Sequence, residues 1–112
     1  MLGVTDLQTL EKMKAKGALI VLFGGAHCSV CHSLRPRLTA MVEQHYSAMQ
    51  SAYVDCGISP DICAQHGVFS LPAVKVFIDG MLVTEDARVF SIAELMQRIE
   101  RPYQLWQQSA GE

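Results

Sequence analysis

Hydrophobic positions change period several times along the chain, and each change marks an element. Leu7, Leu10 and Met13 form a sparse apolar stripe behind the capping-box pair Thr5 and Gln8; it ends at Gly17, so the spacing predicts a helix over 6–16. Ala18 to Phe23 is a continuous apolar run bounded by glycines, the pattern of a strand covered on both faces. After Gly24-Gly25-Ala26-His27 the period becomes helical, with Val30, Leu34, Leu38, Met41 and Val42 recurring to about Gln44. Pro36 falls inside that helix and removes one backbone donor from it.

Ser51 to Asp55 reads as a second strand, reached from the first through a helix, so a βαβ unit with parallel strands is expected. Ser59 and Pro60 have the form of an N-cap with proline in the first helical position, opening a short helix that ends at Gly67. Ala73–Ile78 is a third strand, closed by the hairpin dipeptide Asp79-Gly80 and followed by an antiparallel fourth near Met81–Thr84. Ser91 and Glu94 form another capping box ahead of Ile92, Leu95, Met96 and Ile99, and Pro102 is expected to stop that helix. The order is α-β-α-β-α-β-β-α, with a domain over 1–102 and a polar tail over 103–112 in which Trp106 packs on the domain or on a partner.

Composition narrows the class. At 112 residues and 50% hydrophobic content the chain suits one globular domain. Nine Lys and Arg against eleven Asp and Glu leave no broad basic surface, so neither nucleic acid nor an anionic membrane is an expected partner. No basic segment leads into an apolar stretch at the start, and the longest apolar run is too short to cross a bilayer. The expected setting is therefore a reducing cytoplasm, where four cysteines are more often catalytic, metal-binding or buried than structural.

Cys28-Ser29-Val30-Cys31 carries the chemistry. It lies where an apolar strand hands over to a helix, which places Cys28 at a helix N-terminus whose unpaired N–H groups and dipole favour a thiolate. Two intervening residues let the second sulfur reach the first after one turn. Cys28 is then the attacking sulfur, nearer solvent, and Cys31 the resolving one. His27 and His32 flank the pair, either as imidazolium partners of a thiolate or as plain surface residues. Cys28-x-x-Cys31-His32 also fits the haem-attachment pattern, but the strand before it and the proline-containing helix after it suit a dithiol better. Cys56 and Cys63 lack compact zinc-ligand spacing, so no metal and no cofactor is expected. They read either as a second redox pair or, for Cys63, as a small core residue.

These features together resemble the thioredoxin family over Thr5 to Arg101: the strand before the dithiol, Cys28 and Cys31, Pro36, Gly67-Val68-Phe69-Ser70-Leu71-Pro72 before the third strand, and Asp79-Gly80. The resemblance implies an α/β thioredoxin fold, a central four-stranded mixed sheet flanked by helices on both faces. It also implies a cis Pro72 beside the dithiol, and a substrate groove formed by His27, Ser29, Val30, Leu71 and Pro72. The implied activity is thiol-disulfide oxidoreduction on protein disulfides, recharged by a thioredoxin-reductase-like electron donor. The alternative is a thioredoxin-like interaction or assembly domain without redox turnover. The chain departs from the family pattern in four places: His27 precedes the dithiol instead of tryptophan, Ser29-Val30 fills it instead of Gly-Pro, Leu22 stands where a buried aspartate is usual, and Arg88 where a groove glycine is usual.

Overall fold

The computed structural model describes residues 1–88 and 91–110. In chain order the elements are β1 (Leu2–Gly3), α1 (Leu7–Ala15), β2 (Ala18–Gly24), α2 (Ser29–His45), β3 (Gln50–Asp55), α3 (Pro60–Gln65), β4 (Ala73–Ile78), β5 (Met81–Ala87) and α4 (Ile92–Ala110). The strands form one mixed sheet in the order β1-β3-β2-β4-β5. β2 pairs parallel with β3 and antiparallel with β4, so Leu22 stands between Tyr53 and Val74.

Every residue of β2 is buried because its alternate side chains serve two cores. Ala18, Ile20 and Leu22 join Leu34, Leu38, Met41, Val42, Leu95 and Ile99 of α2 and α4 on one face. Leu19, Val21 and Phe23 meet Leu10 of α1 and Ile62 and Cys63 of α3 on the other. The continuous apolar run is thus the signature of a sheet with helices on both sides.

The sheet holds the four expected strands and a fifth, the two-residue β1, which pairs parallel with β3. It is too short to leave a periodic pattern, and the Val4 amide continues its pairing to the Tyr53 carbonyl at 2.9 Å. The cap of α1 is Asp6 and not the expected Thr5: its carboxylate accepts the Thr9 amide and hydroxyl, at 2.8 Å each, which holds the Asp6 carboxyl below its ordinary pKa. Ser59 stands at the expected cap position of α3, but its hydroxyl donates to the Thr5 carbonyl at 3.2 Å instead of capping the helix.

β5 runs three residues beyond the expected end at Thr84, because its charged residues find partners. Lys75 meets Glu85 across the strand pair at 2.7 Å, and Arg98 on α4 binds Asp86 and donates to the buried Thr84 hydroxyl. The hairpin uses Asp79 and Gly80 at φ 48° and 86°, the paired left-handed conformations of a tight two-residue turn.

The largest departure is α4, which does not stop at Pro102 but continues to Ala110. The expected tail is therefore helical through the described residues, with Gly111 and Glu112 outside them. Tertiary packing outweighs the cost of proline inside a helix, about 3 kcal/mol. Tyr103 is buried edge-on against Tyr46 at 4.9 Å and accepts the Ala48 amide at 3.1 Å, and Trp106 packs beside it on the domain.

Tyr46 anchors that contact, its hydroxyl reaching the Met96 carbonyl and the Glu100 carboxylate at 3.2 Å each. Burial first, and then the hydrogen bond and charge of Glu100, push the phenol up to about 12. An unfolded tyrosine releases its proton near pH 10, so between about 10 and 12 the unfolded chain holds fewer protons and stability falls as pH rises. Urea midpoints measured from pH 8 to 11 should fall more steeply for the unsubstituted protein than for Tyr46→Phe; parallel slopes would contradict this.

Candidate active site

The site is made where the fully buried β2 ends and α2 begins. Gly24 closes the strand, and Gly25-Ala26-His27 turn the chain so that the Cys28 amide donates to the Gly25 carbonyl at 3.1 Å. Cys28 then becomes the N-cap of α2 in extended backbone, its sulfur accepting the Cys31 amide at 3.2 Å. A cysteine sulfur thus occupies the place a serine or aspartate oxygen usually takes, where it meets an unpaired helix amide and the positive end of the dipole.

Cys28 and Cys31 are joined as a disulfide, with their α-carbons 5.2 Å apart. Cys28 is half-buried and faces out, whereas Cys31 is 1% exposed. Ser29 and Val30 stand exposed on the first turn, Val30 at 54%. His32 is exposed too, and its ring Nε2 lies 3.1 Å from the Ala26 carbonyl, outside the pair and not behind Cys31.

Leu71 and Pro72 arrive from the loop before β4. Their peptide bond is cis, and a Cβ added at Gly25 would meet the Leu71 side chain at 3.3 Å, so Leu71 rests against the turn that precedes the dithiol. Pro72 is buried, and its carbonyl accepts the Arg88 amide at 2.7 Å. Arg88 has φ 67°, the left-handed region glycine favours, which gives a physical reason for the glycine usual there.

A groove of about 660 Å³ opens beside Cys28, lined by Gly25, Ala26, His27, Asp55, Gly57, Ile58 and Leu71. Of the sequence-predicted residues, the structure brings His27, Cys28 and Leu71 to this groove. Ser29 and Val30 flank Cys28 on the helix instead, and Pro72 lies behind Leu71.

The wall made by Asp55, Gly57 and Ile58 escaped sequence reasoning. Its signal was the end of β3, which runs parallel to β2, so both strand ends and their following loops open at one edge of the sheet. The Asp55 carboxylate accepts the Gly57 and Ile58 amides at 2.8 and 3.2 Å, closing a local turn that holds Ile58 outward at 70% exposure. Cys56 and Cys63 are bridged directly behind that wall, with α-carbons 5.7 Å apart, tying the end of β3 to α3. Phe69 adds another outward apolar side chain at 87% exposure, close in sequence to Leu71. Among the described residues no group of three or more His, Cys, Asp or Glu is arranged to hold a metal ion, and no helix is long and apolar enough to cross a membrane.

The family model described as Thioredoxin matches residues 5–101. The chain belongs to the thioredoxin family. It is similar to the thioredoxin-like protein YdfQ of Bacillus subtilis (strain 168), with 24% identity over 108 residues that cover 96% of each chain. Among solved structures, a mutant thioredoxin from Halobacterium salinarum superposes with a TM-score of 0.79 at 23% identity, over 88% of this chain and 87% of that one. Mitochondrial thioredoxin 3 of Saccharomyces cerevisiae, in its oxidised form, gives a TM-score of 0.76 at 23% identity, over 89% and 93%. The fold is therefore the thioredoxin fold, and family membership with the close Cys28–Cys31 pair supports a thiol-disulfide redox function at the general level.

Proposed function

We propose that this thioredoxin-family chain is a thiol-disulfide oxidoreductase that reduces disulfides in other proteins, with Cys28 attacking and Cys31 resolving. The observation that carries the reading is the asymmetry of the pair. Cys28 caps α2 at the mouth of the groove, and Cys31 lies one turn inside at 1% exposure. Only the outer sulfur can meet a disulfide on a second protein. The inner one can meet only Cys28.

In the reduced protein the Cys28 thiolate attacks one sulfur of a substrate disulfide, forming a mixed disulfide and releasing the other sulfur as a thiolate that takes a proton from water. Cys31 loses its proton to water and attacks the Cys28 sulfur, closing the internal disulfide; the bond from Cys28 to the substrate breaks, and that sulfur leaves with the electron pair and is protonated by water. Two electrons have passed to the substrate. A reductase-like donor returns them. The apolar side chains of Ile58 and Leu71 suit an extended peptide segment, and the Leu71 backbone supplies strand-like pairing to it, with Pro72 shaping the bend. His27, Ser29 and Val30 complete the contact surface around Cys28. The reading carries a cytoplasmic setting with it, since the reduced form must be regenerated there.

Cys56–Cys63 is proposed as a second redox pair, supported by its place behind the groove wall. Thiol counts after mild oxidation of the fully reduced protein should then drop by four, and by two in Cys56→Ser; a loss of two in both would contradict this.

Trapping distinguishes the enzyme from an interaction domain with an incidental dithiol. Cys31→Ser should accumulate covalent adducts through Cys28 and Cys28→Ser should not, while insulin reduction driven by dithiothreitol should return to its uncatalysed rate in Cys28→Ser. Adducts carried mainly by Cys31, or equal insulin reduction in Cys28→Ser and the unsubstituted protein, would refute the assignment.

A further inference from the structure

Resolution requires a thiolate at Cys31, which is 1% exposed while the internal disulfide is closed. Leu22, on the strand beneath it, brings no polar atom to help, and the His32 ring is held outside by the Ala26 carbonyl. Tyr53 is different. It is the β3 partner of Leu22 in the parallel register, and it packs against the same core face.

Gly24, two residues beyond Leu22, shows where the phenol goes. A Cβ added there would stand 2.8 Å from the Tyr53 hydroxyl oxygen, 2.9 Å from its ring carbon Cε2 and 3.0 Å from the Cys31 Cβ. The phenol therefore fills the room that Gly24 leaves empty, and its hydroxyl and the base of Cys31 converge on one point. Contacts under 3.0 Å to a Cβ would force something to move, so glycine is what permits the convergence. Arg35, one turn after Cys31 on α2, lies over the ring. Its guanidinium carbon is 4.2 Å from the ring centroid, and Nη2 reaches the Met1 carbonyl at 3.4 Å.

We propose that the Tyr53 hydroxyl is the hydrogen-bond donor that stabilises the Cys31 thiolate as it resolves the mixed disulfide. This rests on the reading that Cys28 forms that mixed disulfide. Tyr53 acts as a donor and not as a base: burial first, and then the charge of Asp55, hold its phenol above the usual tyrosine pKa, with Arg35 opposing, so it keeps the O–H that it offers to the thiolate. The Cys31 proton passes to water once the Cys28–Cys31 bond is open and Cys28 carries the substrate sulfur. The thiolate attacks Cys28, the bond from Cys28 to the substrate sulfur breaks, and that sulfur leaves with the electron pair and is protonated by water. Tyr53 is unchanged at the end of the step.

The test uses reduced protein mixed with one equivalent of 5,5′-dithiobis(2-nitrobenzoate), acid-quenched over time, with mass mapping of the peptide that holds Cys28 and Cys31. Adduct formation reports Cys28, and adduct loss with closure of the internal disulfide reports Cys31. Tyr53→Phe keeps the ring beneath Arg35 and should form the adduct at the normal rate but lose it about tenfold more slowly, the scale of one hydrogen bond to a charged group. Its loss should also shift to higher pH, with Arg35, Asp55 and His32 unaltered, which a packing role alone would not produce. Gly24→Ala, which displaces the phenol but keeps its hydroxyl, should reproduce the slow second phase. An unchanged rate and pH profile of adduct loss in Tyr53→Phe overturns the proposal while leaving the Cys28 reading intact. Absence of any Cys28 adduct in the unsubstituted protein overturns that reading, and this proposal with it.

Discussion

A sulfur atom caps the helix that follows the central strand, and the rest of the site is arranged around that bond. Because both faces of β2 are buried, the strand can end only where its last apolar side chain, Phe23, is still covered. Gly24 and Gly25 then release the chain into a turn whose carbonyls at Gly25 and Ala26 take up the Cys28 amide and the His32 ring. One of the amides that the helix leaves unpaired at this end, that of Cys31, meets the Cys28 sulfur. One turn of helix carries Cys31 into the core formed by α2 and the sheet. Partial exposure of one cysteine and burial of the other are thus consequences of a single geometry, a strand buried on both sides that leads directly into a helix.

The groove beside Cys28 is built by the sheet's other strands. The parallel pairing of β3 with β2 sets the Asp55 turn and Ile58 beside Cys28, while the antiparallel β4 is preceded by the cis Leu71–Pro72 bond that lays Leu71 against Gly25. Three loops from three elements therefore meet at one sulfur. The Cys56–Cys63 bridge ties the segment that makes one of these walls to α3, though neither cysteine lines the groove.

Much of this was legible in the chain because burial writes a strong pattern. The apolar run of β2, the helical period after Val30 and the Asp79-Gly80 turn each correspond to an element, and Cys28 and Cys31 fall at the junction that gives a dithiol its character. The failures have a common physical origin in long-range partners. Asp86 looks like a loop residue until Arg98 of α4 is placed beside it. Pro102 looks like a stop until Tyr103 is seen against Tyr46 and the Ala48 amide. Tyr53 reads as an ordinary strand residue, since only the register that sets it opposite Leu22 and under Gly24 shows its hydroxyl converging with Cys31.

Helix capping and burial set two chemically identical thiols apart. A brief pulse of iodoacetamide on the reduced protein at neutral pH, followed by peptide mapping, tests it most directly. Cys28 should carry the label first and react faster than the thiol of an unstructured cysteine peptide under the same conditions, with Cys31 still unmodified. Labelling of Cys31 ahead of Cys28, or a Cys28 no faster than the peptide thiol, would contradict it.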